Sequence, residues 1–173
     1  KTKHPEQICE NTTPQYETME RKTQQRPRNT KKSQNMKIVE QSMKQTNTWH
    51  LRNSNAKTLS GGEFQRVIIA RALAQQTPVL MLDEPISNLD IQHQFEIMSL
   101  LKQINQEGRT VIIVLHDLNM TMQYCDDVLL MQNGRLAVQG SAKEILNKEN
   151  IEHYFNVRTE ISESGNRIFI SKK

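Results

Sequence analysis

The sequence predicts an α/β fold with a mainly parallel sheet and an antiparallel margin. Three observations carry that expectation. Two continuous apolar runs, "PVLMLD" (78–83) and "TVIIVLH" (110–116), read as strands buried on both faces. An amphipathic stretch of helical period lies between them, giving the strand, helix, strand order of a parallel crossover. Further on, Asn133-Gly134 separates "DVLLM" from "RLAVQG", and this dipeptide favours a type I′ turn between antiparallel strands.

Residues 1–37 read as a polar, basic leader. It holds nine Lys or Arg against four Glu, contains no Gly and almost no aliphatic residues, and is interrupted by Pro5, Pro14 and Pro27, so weak order is expected. The rest of the chain carries fourteen Lys or Arg against fifteen acids. The formal charge of +4 therefore belongs to the leader and does not point to a nucleic-acid partner.

A helix is expected over "MKIVEQSMKQT" (36–46), with Ile38, Val39 and Met43 on one face, and then a polar loop to Thr58 in which Trp49 packs a small helical subdomain. A second helix should begin at Gly61 or Gly62, with Ser60 as its N-cap and Phe64, Val67, Ile68 and Leu73 as a broad apolar face. Pro85 closes the first strand. A helix from about Gln92 to Gln106 follows, ended by Gly108, and after the second strand comes a short helix over Leu118 to Tyr124. "SAKEILNK" and "NIEHYF" read as two short helices, the first with Ser141 and Glu144 as a capping box. The end of the chain, 158–173, reads as a small hairpin around Gly165 and a tail.

Several classes are disfavoured. No segment approaches the roughly 18 apolar residues of a membrane span, the longest runs being "VIIVL" and "VLLM", and the polar N-terminus has no signal-peptide core. Cys9 and Cys125 lie far apart and outside any CxxC spacing, which argues against a disulfide framework or a zinc site and fits a reducing compartment. His4, His50, His93 and His153 show no ligand spacing and read as surface or interface positions; Met120 and Met122 read as packing. The chain begins with Lys instead of Met, which suggests a fragment or a processed product.

The chemistry gathers in residues 58–90. Asp83 and Glu84 end the first strand, at the edge where open α/β sheets bind ligands. An acid at that edge can hold Mg²⁺ through water, and a second can orient or deprotonate an attacking water. Ser60-Gly61-Gly62 opens a helix whose first N–H groups lack intrahelical partners and whose dipole favours an anion, with no Cβ to block a phosphate.

Together these residues resemble ABC-type ATPases. "LSGGE" (59–63) is similar to their signature motif, "VLMLDE" (79–84) to the Walker B strand and its catalytic glutamate, "SNLD" (87–90) to the D-loop, and His116 in "VLHD" to the switch histidine. Within that superfamily, "ARALAQQTPVLMLDEP", "LDIQHQFEIM", "TVIIVLHDLNM" and "NGRLAVQGSAKEIL" most resemble ATP-binding subunits of importers for iron-siderophore, haem or cobalamin complexes. The resemblance covers residues 38–157.

It implies a partial P-loop NTPase (ABC ATPase) fold: a mainly parallel sheet with helices and a small helical subdomain. It also implies ATP and Mg²⁺ as cofactors, a head-to-tail homodimer of ATPase subunits, an integral membrane permease as partner, and a cytoplasmic location on the inner face of the cell membrane. By that resemblance Ser60, Gly61, Gly62 and Glu63 would contact ATP held by the opposite subunit. Asp83 would serve the Mg²⁺ shell through water, Glu84 and His116 would be catalytic, and Asp90 would cross the dimer interface.

One part of the family's machinery is missing from these 173 residues. A phosphate loop needs G-x-x-x-x-G-K-[ST], and none of the glycines at 61, 62, 108, 134, 140 and 165 is followed by Lys. The expectation is a chain that lacks a strong ATP site of its own, is inactive alone and has a gap and an exposed edge in its sheet. Two other readings compete with the importer: a binding module or remnant that does not catalyse, and an ABC ATPase of chromosome repair. The latter would carry long heptad arms around the signature, and this sequence has none.

Overall fold

The computed structural model describes residues 28–165 and 167–172. Most of the leader and Cys9 lie outside these residues. Helix α1 (Arg28–Gln45) starts eight residues before the expected Met36, inside the polar segment, and its Ile38 and Met43 are half-buried while Val39 is exposed. It ends on a small hydroxyl network. Thr46 donates to the Ser42 carbonyl, Thr48 to the Met43 carbonyl, and the two hydroxyls lie 2.9 Å apart, both fully buried, as Asn47 turns left-handed at φ 55°. Two 3₁₀ turns follow, Trp49–Leu51 and Ala56–Thr58, and the Trp49 ring lies under Arg52, whose guanidinium carbon is 5.0 Å from the centroid.

The core is made by α2 (Gly61–Leu73) and α3 (Ile91–Gln106) against strands β1 (Val79–Asp83) and β2 (Thr110–Val114). The strands pair in parallel from Val79↔Thr110 to Asp83↔Val114. From α2 the buried residues are Gly62, Ile69, Ala70 and Leu73; Phe64 is 44% exposed, so the expected apolar face is displaced. From α3 come Ile97, Met98, Leu101 and Ile104, a one-sided helical stripe, with Leu80 and Met120 beside them.

The expectation that both strands are buried on both faces is corrected. Leu80 and Leu82, with Val111 and Ile113, face the helices, whereas Val79, Met81, Ile112 and Val114 lie bare on the other side, Met81 at 72% exposure. The physical reason is the number of layers. Within the described residues only one helical layer packs on this pair, so an apolar run suited to burial on two faces is covered on one.

The antiparallel strands do not extend this pair as a margin: the described residues form three separate two-stranded sheets, of which only β1–β2 is parallel. After α4 (Leu118–Tyr124), β3 (Asp127–Gln132) and β4 (Arg135–Ser141) form a hairpin whose two linking residues, Asn133 and Gly134, both have positive φ, as a type I′ turn requires. α5 (Ala142–Ile145) carries the expected Ser141–Glu144 capping box, α6 (Lys148–Phe155) is capped by Asn147, and β5 (Arg158–Ile161) pairs with β6 (Ile168–Ser171) around Gly165. Leu118, Leu146, Ile151 and Ile168 form a second, smaller core, against which Met122 packs. No helix among the described residues is long and apolar enough to cross a membrane.

Candidate functional site

At the carboxyl end of β1 the backbone turns sharply. Glu84, the next residue, is left-handed at φ 45°, a region that disfavours a side chain with a Cβ, and its N–H donates to the Val114 carbonyl across 3.2 Å. That bond ties the turn to the end of β2. Pro85 and Ile86 are buried behind it, so the chain direction is fixed just where the carboxylate must be aimed.

The carboxylate is shared between two partners. Ser87 Oγ donates to Glu84 Oε2 across 2.7 Å, and His116 Nε2 stands 2.6 Å from Oε1. The Ser87 hydroxyl first, and the His116 ring second, hold the Glu84 pKa below the ordinary carboxylate range. His116 lies two residues past β2 and not within it, as the strand ends at Val114. With Gln94 and Asp117 these residues line a cleft of about 140 Å³, room for a few water molecules and too little for a nucleotide.

Asp83 stands beside this pair with its carboxylate exposed and free of any hydrogen bond or ion pair among the described residues. A lone accessible carboxylate suits Mg²⁺, which keeps most of its waters and takes one or two protein oxygens. No group of three or more His, Cys, Asp or Glu among the described residues could enclose an ion. The donor set fits a cation shared with phosphate better than a protein cage.

The second cluster is built where α2 and α3 begin. Ser60 caps α2, accepting from Glu63 N across 3.3 Å, while its own N–H and hydroxyl both donate to Glu63 Oε2 across 2.9 Å. Those bonds, the backbone one foremost, lower the pKa of Glu63. The N–H groups of Gly61 and Gly62 donate to nothing among the described residues, so two of the helix's orphan donors stay available.

Asp90 caps α3: its Oδ1 accepts from His93 N across 2.9 Å, and its two oxygens lie 2.8 and 2.9 Å from His93 Nδ1. The backbone bond, then the ring, lower its pKa. Upstream, Asn88 is left-handed at φ 61°, and Gln94 Nε2 holds the Leu89 carbonyl across 2.9 Å. The two helix starts touch. A Cβ at Gly61 would sit 3.2 Å from Leu89 Cδ2, and one at Gly62 would overlap the His93 ring, 2.8 Å from its Cγ.

Of the residues singled out in the sequence, Glu84 and His116 are thus brought together, with Asp83 adjacent in the chain. Ser60 to Glu63 are brought against the segment that holds Asp90. Gln94, which lines the Glu84 cleft, ties it to the second cluster through its bond to the Leu89 carbonyl, and residues 87–90 connect the two covalently. Ser87, His93 and Gln94 were missed. The available signal was spacing: Ser87 is three residues from Glu84 and His93 three from Asp90, the reach of a side chain across a turn or helix start.

A sequence model of the ABC transporter family matches residues 2–87. Over a longer span, 137 residues, 79% of this chain, are 42% identical to the petrobactin import ATP-binding protein FpuC of Bacillus anthracis, of which they cover 50%. The chain belongs to the ABC transporter ATPase family. The ferric enterobactin transport ATP-binding protein FepC of Escherichia coli (strain K12) is 41% identical over 121 residues, 69% of this chain and 45% of that protein. In structure, cbiO1 from Clostridium perfringens, part of the ABC transporter complex cbiONQ, superposes with a TM-score of 0.63 at 36% identity, over 72% of this chain and 50% of that one. The chain spans about half the length of these ABC relatives. Its fold is a partial ABC ATPase fold of mixed helix and strand, with the signature-like turn opening α2, the Walker B-like strand as β1 and the D-loop-like segment capping α3.

Proposed function

We propose that the chain is the signature and hydrolysis portion of an ATP-binding subunit that energises import of an iron-siderophore-type complex through a membrane permease. The observation that carries the ATPase part is the Glu84 carboxylate, aimed by a left-handed turn at the end of β1 and gripped by Ser87 and His116. The iron-chelate class is supported by the likeness to the petrobactin and ferric enterobactin proteins, and the multisubunit setting by the likeness to a component of a transporter complex.

Bound MgATP supplies a phosphoanhydride open to attack by water and a cation that offsets charge on the phosphate oxygens. Asp83 is the exposed oxygen donor for the cation's water shell. Glu84, a carboxylate whose pKa is held below the ordinary range, accepts a hydrogen bond from the attacking water and fixes its direction. A lowered pKa suits orientation better than full proton removal, since an efficient general base titrates nearer the working pH. His116 keeps the other carboxylate oxygen in place.

Ser60, Gly61 and Gly62 present a hydroxyl and free N–H groups to phosphate held by a second subunit, with the positive end of α2 behind them. Glu63 occupies the Ser60 donors in this structure, so a phosphate arriving there takes over bonds the carboxylate now receives. Asp90, on the neighbouring helix start, faces the same dimer interface. The chain's own residues contain no phosphate loop, so tight nucleotide binding calls for residues beyond these 173.

Uptake tests this reading. The chain is joined to a segment that carries a phosphate loop and expressed in bacteria whose own siderophore ATP-binding subunit is deleted, and entry of radioactive iron as its siderophore complex is counted. The proposal expects uptake that is abolished by Glu84→Gln. Uptake equal with and without that substitution, or restored import of a metal-free nutrient instead of the iron complex, overturns it.

A further inference from the structure

We propose that His93 is a positioning residue that locks the Asp90 segment to the signature turn, and that Gly62 is a glycine because the His93 imidazole occupies the place of its side chain. The meaning of this lock for catalysis rests on the ATPase reading above; the contact itself does not.

The geometry is specific. Gly62 is buried, and a Cβ built on it would lie 2.8 Å from His93 Cγ and 2.9 Å from Nε2, closer than real Cβ atoms approach anything. The far end of a long side chain could step aside. This ring cannot do so freely, because Nδ1 faces both oxygens of Asp90 at 2.8 and 2.9 Å, and one of them, Oδ1, is itself fixed by the His93 N–H at the cap of α3. Moving the ring off Gly62 breaks its bond to Asp90. Leu89 repeats the contact one residue earlier, lying 3.2 Å from where a Cβ on Gly61 would stand.

The starts of α2 and α3 therefore meet through a ring on one side and bare backbone on the other. Gly62 φ is helical, so no left-handed conformation demands glycine at that position. The ring supplies a reason of its own. A shift of Asp90 is transmitted to the Gly62 backbone through a rigid imidazole, and the orphan N–H groups of Gly61 and Gly62 move with it. In a subunit whose signature turn and Asp90 segment both face a partner, this makes the two segments one body.

The charged groups facing the ring are Asp90 on α3 and Glu63 on α2, the latter close enough for His93 to lower its pKa, with His50 contributing from the preceding loop. With Asp90 taking the Nδ1 proton, the neutral ring is the Nδ1–H tautomer.

Two measurements on the 173-residue chain test the lock. In the first, urea midpoints are compared for wild type, Gly62→Ala, His93→Ala and the double variant. The lock requires Gly62→Ala to lower the midpoint when His93 is present and to leave it unchanged, or raise it, in the His93→Ala background; His93→Gln, unbranched and able to reach Asp90, tolerates Gly62→Ala better than His93 does. An equal loss in both backgrounds overturns the proposal. Should Gly62→Ala alone fail to fold, recovery of folding in the double variant supports the lock, and continued failure contradicts it. The second measurement uses the unaltered chain: ring ¹⁵N correlations read the His93 tautomer at neutral pH. Nδ1–H is expected, and Nε2–H as the sole neutral form overturns the proposal. Neither readout involves ATP, so failure here leaves the ATPase reading standing, and a failed uptake assay leaves the lock intact.

Discussion

Ser87 donates its hydroxyl proton to Glu84 Oε2 across 2.7 Å, on the side of the carboxylate opposite to His116. The bond closes a four-residue turn around Pro85 and Ile86 and is the foremost cause of the lowered Glu84 pKa. The sequence places Ser87 in the D-loop-like segment without tying it to Glu84; the structure makes it the partner of that carboxylate.

Ser87→Ala therefore raises the Glu84 pKa towards the ordinary carboxylate value, read by ¹³C carboxyl titration. The folded-state pKa is depressed, so the stabilisation from this bond is present above the unfolded-state pKa and is lost as pH falls through the folded one. Wild type should be more stable than Ser87→Ala at neutral pH and converge with it in acid. A carboxyl titration that does not move on removing the hydroxyl contradicts the assignment.

Glu84 holds a left-handed backbone at φ 45°, a conformation easier for glycine than for any residue with a Cβ. Glu84→Gly and Glu84→Ala both delete the side-chain bonds and differ only in that backbone preference. The Gly variant should unfold at the higher urea concentration. The reverse order would mean the turn relaxes out of the left-handed region.

Neighbouring residues on β1 should respond oppositely. Leu80 is buried against α2 and α3, and Leu80→Ala is expected to cost about 2–5 kcal/mol. Met81 is 72% exposed on the bare face, and Met81→Ala should stay within about 0.5 kcal/mol. Denaturation curves of the two variants check this, and comparable losses would show that the bare face is covered in solution.

At the start of α2, Ser60→Ala removes the cap and should cost about 1 kcal/mol in helix and chain stability. It also frees Glu63, whose pKa rises for want of the Ser60 hydroxyl, though the backbone bond persists. Urea unfolding and carboxyl titration read the two effects separately.

What was legible in the sequence was whatever local chemistry decides. Ser60 as a cap, the Ser141–Glu144 box, and Asn133-Gly134 in positive φ all follow from residues a few positions apart. Less legible was anything set by packing across the chain. The apolar runs of β1 and β2 state that two faces can be buried, and only the helical layers present decide how many are. His93 carries no metal or catalytic spacing, so its pattern reads only as a surface or interface position; its role emerges when α3 brings it over Gly62, 31 positions earlier.

The most direct test of the account is MgATP turnover by the purified chain beside the same chain joined to a segment that carries a phosphate loop. The account predicts tight binding and hydrolysis only in the joined form, with Glu84→Gln abolishing turnover and preserving binding. Hydrolysis by the 173-residue chain alone, or turnover that survives Glu84→Gln, would contradict the assignment of the chemistry to Glu84 at the end of β1.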